Sequence, residues 1–312
     1  MSDGPWDLPL TEEGLQTLLG RLEESHVAGD EAAVAWGMLA LAKMVKWVRS
    51  DTVESPFVRA AHLSEGASEI FRRLGDERGL LAALRASTTF VSPDTTEARL
   101  NEAMEIAERL GDRREIARTL AAQGRALTPG DPKKKIDTTR RALAEFEALD
   151  DKAGQAQCLF TLSIRLETNE EKHAMAREAA ELFREIGDRN QASKSVTLAV
   201  MYGESFLDFP TLEPLIRQGL ADAEAAGDLT GQAMFHGHLA KVAAAKGDAA
   251  EVTRCLARQK ELDQSDSLTP RERRQGEIEM MKTIVTMAKA SGDKESIAGF
   301  QSELRRLRRA PL

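Results

Sequence analysis

A short signal, Gly-Asp at the close of an apolar helical run, recurs at Gly75-Asp76, Gly111-Asp112, Gly187-Asp188 and Gly227-Asp228, and Asp150-Asp151 fills the vacant interval. The successive spacings are 36, 39, 37 and 40 residues. A fixed period in this range is the mark of a solenoid of stacked helix pairs, because each pair can bury its apolar face only against its neighbours. Glycine can take the left-handed backbone that closes a helix, and the following aspartate can accept backbone N–H groups of the next one. The dipeptide is thus a stop and a start in one step. These aspartates lie a whole repeat apart, which fits an acidic metal site poorly.

Two helices fit between successive signals. From Asp112 to Asp150, Ile116, Leu120, Gly124 and Leu127 share one helical face before Pro129-Gly130 breaks it. Asp131 can cap a second helix with Pro132 in its first turn, and Ile136, Leu143, Phe146 and Leu149 continue the apolar stripe. Proline-containing starts recur at Ser55-Pro56, Ser92-Pro93-Asp94, Phe209-Pro210 and Thr269-Pro270. The pattern predicts helices over 11–28, 30–49, 56–74, 76–91, 94–110, 112–127, 132–149 and 151–167. It continues over 170–186, 188–203, 210–226, 228–246, 248–262, 271–291 and 293–309. A chain of 312 residues would ordinarily suggest two domains, but a repeat array grows lengthwise without enlarging one core. The expectation is an arm over 1–10, a single all-α solenoid over 11–309 with atypical capping helices at both ends, and a tail over 310–312.

The net charge of −8 argues against a general affinity for nucleic acid, which needs a broad basic surface. The basic ending from Arg305 reads as a solvated last helix. No apolar segment approaches the roughly 20 residues that span a bilayer, and no secretory signal pattern opens the chain, so no membrane contact and a cytoplasmic location are expected. Cys158 and Cys255 lie inside helical patterns, far apart in sequence, as packed thiols. His236 and His238 are two apart on a helix and point to different sides, so they do not chelate one ion; no metal and no cofactor are expected. No phosphate loop, nucleophile elbow or zinc-protease helix is present, and no catalytic residue is assigned. Trp36 and Trp47 read as packing under the N-terminal cap, with Trp6 in a short arm that either lies against that cap or is loose.

The stretches "AAELFREIGDRNQASKSVTLAVMYG", "AMEIAERLGDRREIARTLAAQGRAL" and "ALAEFEALDDKAGQAQCLFTLSIRL" resemble the tetratricopeptide repeat family, in the form found in sensor arms of bacterial transcriptional activators. The resemblance covers about 30–262. Leu84, Leu120 and Leu159 stand where the family mostly has its early tryptophan, and Gly-Asp replaces its proline before the next repeat. It implies a right-handed solenoid of about seven antiparallel helix pairs, with the helices after each Gly-Asp lining the concave face. Aligning Gly124, Ser163, Val200 and Ala240 then produces three rows. The first is Lys43, Thr89, Arg125, Ile164, Met201 and Lys241; the second Leu39, Arg85, Ala121, Phe160, Thr197 and Gly237; the third Trp36, Ala82, Arg118, Gln157, Lys194 and Met234.

The candidate groove residues are accordingly Lys43, Arg85, Arg118, Arg125, Phe160, Ile164, Lys194, Met201 and Lys241: basic ends around an apolar middle. Such a groove suits a peptide or protein segment whose carboxylates meet the cations, unless those cations are instead solvated or paired with glutamates of adjacent helices. The function expected is that of a non-catalytic protein-binding adaptor. The alternatives are a regulator that senses a peptide or small ligand and acts through a partner, and, lower, an accessory protein or enzyme with a substrate pocket in the helical array. Leu304 and Leu307 on the last helix suit a homodimer through end helices.

Overall fold

The computed structural model of the protein describes residues 6, 8, 12–44, 56–87, 92–126, 131–263, 278, 305 and 306. Among them are helices α1 (Glu12–Val27), α2 (Glu31–Met44), α3 (Pro56–Leu74), α4 (Glu77–Ala86), α5 (Pro93–Leu110), α6 (Arg113–Arg125) and α7 (Pro132–Ala148). They continue with α8 (Lys152–Arg165), α9 (Asn169–Glu185), α10 (Arg189–Gly203), α11 (Phe209–Ala226), α12 (Leu229–Lys246) and α13 (Ala249–Asp263). The expected boundaries differ mainly at starts, because the aspartate read as the first helical residue is the N-cap just before it. Trp47, Ser55, Thr89, Leu127, Pro129-Gly130, Thr269-Pro270, Leu304 and Leu307 lie outside the described residues, as does nearly all of the expected helices over 271–291 and 293–309.

The Gly-Asp junction works as its chemistry requires. Gly111 takes φ 62°, and the Asp112 carboxylate accepts from the N–H groups of Arg114 and Glu115. Asp76, Asp188 and Asp228 cap α4, α10 and α12 in the same way, each after a glycine with positive φ. At the vacant interval Asp150 itself adopts φ 50° and Asp151 caps α8, so an aspartate does the work of the missing glycine. Two further junctions of this kind, Gly29-Asp30 and Gly247-Asp248, join α1 to α2 and α12 to α13. The other kind of junction is also realised: Ser92 caps α5 ahead of Pro93, and Asp131 caps α7 ahead of Pro132.

Contacts divide the chain into two compact units, Met1–Asp150 and Asp151–Leu312. Within each unit every described helix packs on its sequence neighbours, and α2 with α4 and α10 with α12 also touch, as stacked hairpins require. The first unit centres on Phe71, Leu81, Leu84 and Ile106, with the Trp36 ring edge-on to Phe71 at 5.1 Å. Trp6 and Leu8 pack with Leu15, Leu22 and Leu41 against Leu18 and Ala40 of the first hairpin. The second unit centres on Phe235, Ile216, Leu212, Val196 and Val200. Small residues set how closely helices approach: a Cβ at Gly79 would overlap the Phe71 ring, and one at Gly219 the Phe235 ring.

Ion pairs between successive hairpins carry the repeat spacing on the surface. Arg109 reaches Glu77 at 2.5 Å, Arg113 reaches Glu145 at 2.8 Å and Lys152 reaches Glu185 at 2.7 Å. All are substantially exposed and individually contribute little.

Candidate functional site

The alignment that defines the candidate groove places its reference residues alike: Gly124, Ser163, Val200 and Ala240 are all buried. The residue that follows each is then turned about 100° around the helix. Arg125 is exposed, and Ile164 and Met201 expose 52% and 51% of their surface. Lys241 breaks the row. It is buried, and its ammonium lies 3.1 Å from Glu204 Oε1 and 5.6 Å from the centre of the Phe209 ring. Lys43, at the other end of the row, is exposed on α2.

In the first unit, Arg85 of α4 is enclosed rather than presented. Its Nη1 lies 2.6 Å from Glu115 Oε2, and Arg118 Nη1 lies 2.7 Å from Oε1 of the same carboxylate. Burial lowers the Arg85 pKa, and the nearby Arg118 and Arg125 lower it further, while Glu115 opposes them. Arg118 keeps 45% of its side chain exposed. Two arginines of the rows, Arg85 and Arg118, therefore share one glutamate on α6, which the sequence reading did not single out.

In the second unit, Phe160 is half-buried with its ring edge-on to Phe183 at 6.5 Å. Lys194 is half-buried as well, and burial lowers its pKa against the pull of Asp228 and Asp188. Glu204 sits between α10 and α12. Burial disfavours its charge, but the His238 ring and Lys241 outweigh burial and hold the carboxyl at about 2. His238 Nδ1 lies 2.8 Å from Glu204 Oε1, close but poorly aligned for a hydrogen bond. His236 points elsewhere, half-buried with its pKa lowered by burial, as expected for residues two apart on a helix. His173 is also buried, its Nδ1 2.8 Å from the Ala199 carbonyl oxygen.

A second charged centre escaped the sequence reading. Asp222 of α11 is almost wholly buried and accepts from Arg184 of α9 at 2.8 Å and from Arg189 of α10 at 2.8 Å. The only hint in the sequence is the repeat-length separation of 38 and 33 residues between donors and acceptor. Both cysteines are buried, and burial, helped by Glu251, pushes the Cys255 thiol up to about 11. Among the described residues, no group of three or more His, Cys, Asp or Glu could hold a metal ion, and no helix is long and apolar enough to cross a membrane.

These helices and junctions define an all-α helical repeat protein. No protein-family model matches the chain, and no curated protein matches it. Among solved structures it is similar to a circular tandem repeat protein with novel repeat topology and enhanced subunit contact surfaces. The identity is 14%, the alignment covers 95% of this chain and 76% of that one, and the TM-score is 0.23. The repeat class rests on this chain's own junctions and packing.

Proposed function

We propose that the protein is a cytoplasmic, non-catalytic adaptor of tetratricopeptide type that binds a peptide or protein segment on the exposed face of α8 and α10. The observation that carries this reading is the pair Ile164 and Met201. They occupy the same position of the repeat in α8 and α10, directly after fully buried Ser163 and Val200, yet each leaves about half its surface in water. Single exposed apolar residues are ordinary, but recurrence at one register position makes a stripe that a partner can desolvate. Half-buried Phe160 and Lys194 flank that position on the same helices, supplying an aromatic surface and a partly desolvated cation. Exposed Arg118 and Arg125 give the first unit its own attraction for acidic groups.

Affinity capture from lysate of the source cells tests the reading with three baits: wild type, Ile164→Ser with Met201→Ser, and Arg125→Glu with Lys194→Glu, each checked for native helicity. Expected is a protein retained by wild type and lost from both variants. Equal retention by all three would move the interface off this face.

A further inference from the structure

The second unit holds an open crevice of about 260 Å³ between α11 and α13, over α12. Its floor is apolar, since Leu239, Val242 and Ala243 line it and each is no more than 5% exposed. Elsewhere between α11 and α12 such space is filled, as where Gly219 admits the Phe235 ring.

Charge is divided by side. On α11 and the end of α12, Arg217 and Lys246 both contact Glu213, so two cations share one carboxylate. On the α13 side stand Asp248, which caps that helix, and Glu251, 2.5 Å from the largely exposed Arg254. One side thus carries one excess positive charge and the other one excess negative charge. Volumes of roughly 300–1,000 Å³ accommodate drug-sized ligands, so this crevice suits something smaller. Its complement is a small molecule that carries a carboxylate and an ammonium side by side, one toward each side of the crevice, with an apolar side chain to cover the floor.

We propose that this crevice binds a small zwitterion of the aliphatic α-amino-acid class. The carboxylate faces Arg217 and Lys246, the ammonium faces Asp248 and Glu251, and the side chain rests on Leu239, Val242 and Ala243. The assignment is independent of the peptide-binding reading, because it uses none of the groove residues.

Calorimetric titration of the full chain with L-leucine, 4-methylpentanoate and 3-methylbutylamine separates the contributions. Leucine should bind saturably, and each singly charged analogue should bind at least about tenfold more weakly, the effect of losing one charged hydrogen-bonding end. Lys246→Gln should weaken leucine and the acid and leave the amine unchanged; Glu251→Gln should weaken leucine and the amine and leave the acid unchanged. Absence of saturable leucine binding up to about 10 mM, or equal affinity for all three compounds, overturns the proposal. The comparison on wild type decides even where a variant loses helicity. The Arg125→Glu, Lys194→Glu variant should bind leucine as wild type does, so failure of the adaptor reading and failure of this one are distinguishable.

Discussion

Lys241 Nζ lies 3.1 Å from Glu204 Oε1, joining α12 to the end of α10 in a place where the lysine is only 7% exposed. This cation holds the fold together from within a row whose other described members, Lys43, Arg125, Ile164 and Met201, are exposed. Breaking a buried pair leaves the other charge uncompensated, so Lys241→Ala should cost about 3 kcal/mol in chemical denaturation. Lys43→Ala, at the matching exposed position, should change stability by no more than about 0.5 kcal/mol.

The same pair sets an acid dependence. The Glu204 carboxyl is held at about 2 in the folded protein against an ordinary 4.5. Because the folded value is the lower one, its stabilisation is fully present above the ordinary value and is lost as pH falls from there toward about 2. The loss is on the order of 3 kcal/mol at most. Denaturation midpoints measured across that window should decline for wild type and decline less for Glu204→Gln.

Asp222 ties three consecutive helices through one carboxylate. Asp222→Asn keeps its shape and removes the charge that Arg184 and Arg189 share, and should destabilise the second unit by about 3 kcal/mol. Hydrogen exchange read across α9, α10 and α11 should rise together. A rise confined to α11 would mean that the two arginines find other acceptors.

The two forms of the junction respond differently to substitution. Asp188→Ala removes an N-cap and should cost about 1 kcal/mol. Asp150→Gly relieves a left-handed non-glycine backbone and should be neutral or stabilising by up to about 1 kcal/mol. Thermal unfolding of the two variants against wild type checks both, with a lower midpoint expected for Asp188→Ala and no decrease for Asp150→Gly.

The helices were legible because their information is local. Gly111-Asp112 or Ser92-Pro93 carries in two residues the backbone angle and the hydrogen-bond acceptor that end or begin a helix. The inward face was legible too, since 3.6 residues per turn fixes that Ser163 and Val200 lie opposite to solvent wherever their helices are packed. Arg85 and Lys241 were not legible as buried. Their helical phase left room for exposure, and each was drawn in by a glutamate on another helix, Glu115 or Glu204, whose approach depends on how two helices cross. The tie from Asp222 to Arg184 and Arg189 was hidden for the same reason.

The sequence by itself determined the class of protein: all helices, paired and repeated, with capped ends and an apolar stripe on each, because caps, turns and periodicity act within a few residues of chain. Tertiary structure alone decided which charges meet water and which meet each other, where α11, α12 and α13 leave a crevice, and that the contacts fall into two units. Those outcomes depend on distances between side chains 30 to 38 residues apart, as in Arg85 with Glu115 and Arg184 with Asp222, and helical phase does not fix such distances.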